Sequence, residues 1–251
     1  MTDVERQRAL EAIAADVRIC TDCRLHQTRT KAVPGEGAAD TEVVFVGEGP
    51  GFNEDRQGRP FVGRAGDLLV KLLASIGWRR EDVFITNVVK CRPPDNRDPQ
   101  PDEIAACAPF LRRQLEVLDP AVVVTLGRYS MATFMPGVRI SQAHGTVRAV
   151  DPATGAASAT AFAMYHPAAA LRTPAIERES YADIADVPGT LIASRARRDA
   201  VQTLPAEAPV AMPEAEAAPA SETAPDVDTE LDPIHTPSAA SEDATPQLTL
   251  F

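Results

Sequence analysis

Short apolar runs recur along the chain at wide, regular intervals. Residues 43–46 read VVFV, 83–86 VFIT, 121–125 AVVVT and 159–164 ATAFAM. These runs are rich in β-branched residues and too short for buried helices, so they predict strands shielded on both faces. Between them the period changes. Leu10, Ile13, Ala14 and Val17 share one side of a helix over 3–17, and Leu68, Leu69, Leu72 and Leu73 mark another over 65–76. A third helix is expected from Asp102 or Glu103 to about Leu118, a short one at 129–134, and a last one at 184–202, broken at Pro188-Gly189. An extended piece at 145–150 precedes a DPATG turn. Alternating strands and helices predict an α/β fold, an open parallel sheet with helices on both faces.

The strand at 43–46 runs into GEGPGFNEDRQGRPFVGRAG. Its glycines and prolines predict a loop at the carboxyl edge of the sheet, where ligands of open α/β sheets bind. The loop has no GxGxxG and no Lys followed by Ser or Thr, which argues against a phosphate cradle. It carries Glu48, Asn53, Glu54, Asp55 and Gln57. A single aromatic, Phe61, lies between Pro60 and Gly63 and is expected to stand exposed as a stacking platform for a ring. Three strand ends carry distinctive polar residues, namely Glu48, Asn87 and His166. Parallel topology predicts that all three meet at one edge.

Charge changes the picture only when it is divided. The net charge of −11 over 251 residues hides an acidic end: 201–251 holds ten Asp and Glu and no Lys or Arg. The first 200 residues balance all 25 basic side chains against the remaining 26 acids, so the overall acidity does not argue against a polyanionic partner. Past residue 203, Ala, Pro, Glu, Ser and Thr dominate, and 204–246 is expected to be a disordered acidic linker. Residues 1–203 are expected to hold the catalytic domain. No run approaches the roughly 18 apolar residues of a membrane span. The charged start MTDVERQRAL lacks a secretory core, so a cytoplasmic location away from membranes is expected.

Four cysteines, Cys20, Cys23, Cys91 and Cys107, are spaced C-x2-C and C-x15-C. Three stand in Pro- or Arg-rich contexts where Cys is seldom used for packing. A reducing compartment disfavours disulfides, and a shared metal site is preferred over four unrelated thiols. Zinc and iron–sulfur both accept four thiolates, and spacing does not separate them.

Five segments in order, C-x2-C at Cys20/Cys23, GEGPGFNED at 47–55, GRPFVGRAG at 58–66, TNVVKCRPP at 86–94 and HPAAALR at 166–172, resemble the family 4 (thermostable-type, iron–sulfur) uracil-DNA glycosylases. The resemblance covers about residues 15–175. It implies a four-stranded parallel sheet, a monomer, and a structural 4Fe-4S cluster on all four cysteines. The implied reaction is hydrolysis of the N-glycosidic bond of uracil flipped out of DNA, which initiates base excision repair. By resemblance, Phe61 stacks on the base and Asn87 reads its O4 and N3–H. His166 bonds O2 and stabilises the anion developing there. Gly49 stands where the best-known uracil glycosylases have a water-orienting Asp. A different carboxylate is then needed, with Glu48 the first candidate and Glu54 either sharing that role or bracing the loop. Leu171 or Arg172 is expected to fill the vacated space in the duplex. Arg59, Arg64, Lys90, Arg92 and Arg97 are candidates for phosphate contacts.

Two alternatives remain at this point. One is a relative that traps uracil-DNA covalently through a histidine, for which His144 is the nearby candidate. The other is a non-catalytic uracil-DNA binding module. Finally, QLTLF at Gln247–Phe251 resembles the QLxLF peptides by which bacterial replication and repair proteins bind the DNA sliding clamp, with Leu250 and Phe251 filling an apolar pocket.

Overall fold

The computed structural model describes residues 1–203, and the expected linker and QLTLF peptide lie outside them. A mixed sheet forms from β1 (Glu36–Gly37), β2 (Val43–Gly47), β3 (Phe84–Asn87), β4 (Val122–Leu126), β5 (Val147–Ala149) and β6 (Thr160–Met164), in the order β1-β3-β2-β4-β6-β5. The expected four-stranded parallel sheet is its core, since β3, β2, β4 and β6 all run parallel. The correction is at the edges: β1 pairs antiparallel with β3, and β5 with β6. Short antiparallel edges of two and three residues cap a sheet that would otherwise offer open ladders.

Each core strand is buried along its whole length because helices cover both faces. The two-residue period of a strand sorts its side chains. From β2, Val44 and Val46 join one apolar cluster while Val43 and Phe45 join the other. The first cluster is closed by α1 (Asp3–Ile19) through Leu10, Ile13 and Val17, and by α4 (Pro101–Leu118) through Phe110, Leu111 and Leu115. On the opposite face α3 (Arg64–Ser75) inserts Leu68, Leu69, Leu72 and Leu73. Burying each of these leucines contributes roughly 1.5–3 kcal/mol. Helix α1 starts at a capping box, in which Glu5 N–H donates to Thr2 Oγ1 and Thr2 N–H donates to Glu5 Oε2. Short helices α5 (Arg128–Phe134), α6 (Ile140–Ala143) and α7 (Pro167–Ala170) follow strand ends or turns.

Two boundaries differ from expectation. The glycine loop contains a helix, α2 (Phe52–Gln57), that ends at Gly58 in the left-handed region (φ 75°). The last helix, α8 (Pro174–Thr203), begins ten residues early and is unbroken at Pro188-Gly189. Ile184 and Val187 are fully buried against the sheet, and that packing carries the helix past the hydrogen bond that Pro188 cannot make.

Candidate active site

Parallel pairing brings the carboxyl ends of β2, β3, β4 and β6 to one edge. Glu48 follows β2, Asn87 ends β3, Gly127 follows β4 and His166 lies two residues beyond β6. All four line one cleft, together with Gly49, Glu54, Phe61, Arg128, Tyr165 and Arg172. The six residues read from the sequence as catalytic or substrate-binding are thus brought into a single concavity.

Gly47 and Asn87 are paired in the parallel ladder. A Cβ on Gly47 would lie 2.4 Å from Asn87 Oδ1 and 2.8 Å from the Phe61 ring, so only hydrogen at this position lets the amide and the ring meet. Sequence reading took Gly47 for a strand breaker and missed this. Asn87 is 1% exposed, and its Oδ1 is buried without a hydrogen-bond partner among the described residues. An orphaned buried acceptor costs roughly 1–3 kcal/mol, which a ligand N–H would recover. Pairing continues past the strands, because Val88 N–H donates to Gly47 O (2.9 Å) and Val89 N–H to Glu48 O (3.1 Å).

Phe61 is buried, not exposed as expected from its Pro and Gly neighbours. Its ring stacks on His166, with centroids 5.6 Å apart and planes at 29°. Its backbone is left-handed (φ 50°), a strained region for a bulky side chain. Two devices hold it there. Gly66 lacks the Cβ that would sit 1.9 Å from Phe61 O. Arg80 donates to Phe61 O (3.0 Å) and to Pro60 O, while its guanidinium also pairs with Glu36 (2.8 Å). Burial works against the Glu36 anion, but Arg59 and Arg80 together hold its carboxyl below the ordinary range. Arg80 and Glu36 were not read from the sequence, since nothing local ties 36 or 80 to 61.

His166 caps α7. Its Nδ1 accepts Ala168 N–H (3.1 Å), which leaves the proton of the neutral ring on Nε2. Burial pushes its pKa down to about 4, helped by Arg172 and opposed by Glu54. The ring is therefore a neutral donor at physiological pH. Gly127, in the left-handed region at φ 88°, makes room for it, since a Cβ there would lie 2.9 Å from His166 Cβ.

The two carboxylates differ. Glu54 Oε1 accepts Val62 N–H (2.9 Å) and Gly63 N–H (3.0 Å), tying α2 to the turn after Phe61. Burial raises the Glu48 pKa, with Asp98 adding to the rise and Arg128 opposing it. Arg128 was missed by sequence reading.

The expected phosphate-contacting residues divide. Lys90 is a correction: it is 1% exposed, and its Nζ donates to Thr86 Oγ1 (2.6 Å), Asn87 O (2.8 Å) and Gln114 Oε1 (2.7 Å). It stiffens the backbone that presents the Asn87 amide. Arg59 is paired with Glu36, and Arg97 with Glu103. Arg97 and Arg172 line the cleft, and Leu171 beside Arg172 is 37% exposed. His144 is not among the cleft-lining residues. Its Nδ1 is engaged by Asp183 (3.1 Å) and its ring rests on Tyr165.

Cys20, Cys23, Cys91 and Cys107 line a second, separate chamber with His26, Arg29 and Lys90. None of the four is in a disulfide. Two N–H groups point at sulfur: Arg29 donates to Cys91 Sγ (3.0 Å) and the Lys90 backbone to Cys107 Sγ (3.2 Å). Burial raises the Cys20, Cys91 and Cys107 pKa values, the last to about 11. Among the described residues no group of three or more His, Cys, Asp or Glu is arranged to hold a metal ion. No helix of the described residues is long and apolar enough to cross a membrane.

Residues 34–185 match the Uracil DNA glycosylase superfamily. A type-4 uracil-DNA glycosylase of Thermotoga maritima is 54% identical over 136 residues, covering 54% of this chain and 71% of the relative. The Archaeoglobus fulgidus type-4 enzyme is 47% identical over 181 residues, covering 70% and 89%. That of Saccharolobus solfataricus is 48% identical over 173 residues, covering 67% and 80%. With the cleft and these likenesses together, the chain belongs to the uracil DNA glycosylase superfamily, among its type-4 members.

Proposed function

We infer that this chain is a uracil-DNA glycosylase, a monofunctional hydrolase that takes uracil out of the DNA stack and cleaves its N-glycosidic bond. The observation that carries the reading is the orphaned Asn87 Oδ1 beside the stacked Phe61 and His166 rings. A flat base slipped along Phe61 would meet the Asn87 amide at its edge. The carboxamide accepts from N3–H and donates to O4, and cytosine presents the opposite pattern there. The neutral His166 Nε2–H would donate to O2 as charge collects on the departing base. Glu48 is the carboxylate for the sugar cation or the attacking water. Glu54, already accepting two backbone N–H groups, supports the loop.

A 4Fe-4S cluster on the four cysteines is supported by the chemistry of their surroundings, although their spacing in this structure does not hold a metal ion. They line one chamber, and the Arg29 and Lys90 N–H groups would stabilise anionic sulfur. When bound, the cluster would supply cross-linking and no chemistry to the hydrolysis. Cys20 and Cys23 would hold the turn after α1, while Cys91 would hold the start of the Pro-rich stretch after β3 and Cys107, in the second turn of α4, would hold it from the other side.

Gln247–Phe251 is assigned here as a clamp-binding peptide on the strength of its sequence. Joined to the catalytic domain by 43 residues, such a peptide would raise the local concentration of the enzyme near replicating DNA.

Incubation with a uracil-containing oligonucleotide tests the reading. Abasic sites formed with turnover are expected. A stable protein–DNA adduct would mean a covalent trap, and binding with neither product would mean a non-catalytic module. The engagement of His144 by Asp183 and its absence from the cleft lining disfavour the trap through that residue.

A further inference from the structure

Phe52 opens α2 directly after Gly51, which lines the cleft, and is 52% exposed. No packing role accounts for it. Its helix is moored by other residues: Asp55, the one buried residue of α2, accepts Thr30 N–H (2.8 Å), and Glu54 braces the turn at 62–63. The Phe52 ring instead gathers two cations. The Arg56 guanidinium lies 5.6 Å from its centroid and that of Arg92 5.3 Å. Arg92 is not drifting, since its Nε donates to Asn96 Oδ1 (2.7 Å), and Asn96 also lines the cleft. An exposed aromatic that carries two guanidiniums over its ring, beside a cleft for a single base, has no part in the chemistry described for the cleft.

We propose that Phe52, Arg56 and Arg92 form a stacking platform for an unpaired base of the DNA strand, beside the cleft that takes the uracil. The inference rests on the glycosylase reading and extends it to the strand around the target. The two guanidiniums complement a polyanion, and, held over the Phe52 ring, they offer their own planes for stacking to any base. A duplex keeps the neighbouring bases stacked on each other and paired, so their faces are unavailable. The platform therefore favours single-stranded substrate.

The test uses the full-length holoprotein and a short oligonucleotide carrying 2′-fluoroarabino-uracil, whose glycosidic bond resists cleavage. Affinity is measured by anisotropy for the single strand and for its duplex. A neighbouring 2-aminopurine reports stacking by fluorescence quenching. Phe52→Ala is expected to weaken single-strand binding roughly 5- to 10-fold and duplex binding by less than about twofold. It should also abolish the quenching, and Phe52→Trp should restore both signals. Unchanged single-strand affinity in Phe52→Ala, or an equal loss on both substrates, would overturn the platform. A parallel assay with ordinary uracil keeps the two readings distinguishable. If the wild type releases no uracil and binds neither oligonucleotide, the glycosylase reading falls and the platform with it. If it releases uracil while Phe52→Ala binds single strands normally, only the platform falls.

Discussion

Arg80 donates to the backbone oxygen of Phe61 at 3.0 Å and so holds a strained, left-handed aromatic under the cleft. The same guanidinium reaches Pro60 O and pairs with Glu36. Arg80→Ala should leave two carbonyls short of a donor and Glu36 with Arg59 alone. The expected fall in Tm is roughly 3–10 °C, from about 1–3 kcal/mol lost. Uracil excision should fall with it, through a higher KM for the base. Arg80→Lys should recover charge but not the fork that serves both carbonyls, and so give only partial rescue. A variant with lowered Tm but wild-type KM would show that the Phe61 turn holds without Arg80.

Asn87→Ala should lower kcat/KM for uracil by about 100-fold or more, since buried hydrogen-bond readout discriminates strongly. Asn87→Asp should also weaken uracil excision, because the carboxylate accepts where the amide donated. Steady-state excision from matched uracil and cytosine oligonucleotides checks both. Wild-type rates in Asn87→Ala would refute edge reading by this residue.

The pH behaviour follows from two shifted groups. Glu48 titrates above the ordinary carboxylate range, so the single-turnover rate should fall on acidification through that raised pKa. Glu48→Gln should be slower and lack that acid limb. His166 is shifted the other way, to about 4 from the usual 6.5 or so. The folded state therefore binds fewer protons than the unfolded chain between those values. His166 contributes stability that is present above about 6.5 and lost as pH falls towards 4. His166→Gln should show a shallower decline of Tm over that window. Equal slopes for the two proteins would show that burial does not suppress protonation of His166.

Protein purified without oxygen should be brown and contain iron rather than zinc. Chelation of the metal, or Cys107→Ala, should cost stability more than chemistry in the surviving folded fraction. Metal analysis with thermal melts and single-turnover rates would separate the two. Colourless, zinc-loaded, fully active protein would defeat the cluster assignment.

Deleting Gln247–Phe251 should leave excision from short oligonucleotides unchanged and abolish binding to purified sliding clamp. Titration of clamp with the intact chain and with the Leu250→Ala, Phe251→Ala variant decides this. Equal binding by the two would leave the peptide with some other purpose.

The central strands were legible because burial on both faces demands uninterrupted β-branched runs such as VVFV and AVVVT. Their order along one edge then followed from parallel topology, which is why Glu48, Asn87 and His166 could be grouped before any coordinates. Other features left no local trace. Strand β1 is two residues long, one of them Gly37, and exists because β3 offers an edge. Helix α2 hides among glycines, and its six residues bury only Asp55. Lys90 looked like a surface cation because lysines are rarely buried; only the fold shows Thr86, Gln114 and the Asn87 carbonyl surrounding it. The Arg80–Phe61 contact joins residues 19 apart through a turn that no periodicity announces.

The strand order also governs time. Strand β2 pairs with β3 and β4, and β4 pairs with β6, so the ladders at the centre of the sheet join segments tens of residues apart. Such non-local parallel pairing makes for slow folding, because loop closure must precede the contacts that reward it. Glu48, Asn87, Gly127 and His166 come from the ends of β2, β3, β4 and β6, and the last of them leaves the ribosome some 118 residues after the first. A nascent chain thus carries half a cleft and an unpaired β4 edge until Thr160–Met164 arrives to close the ladder. A translation product truncated before Thr160 therefore lacks β6 and His166, and with them one side of the catalytic edge.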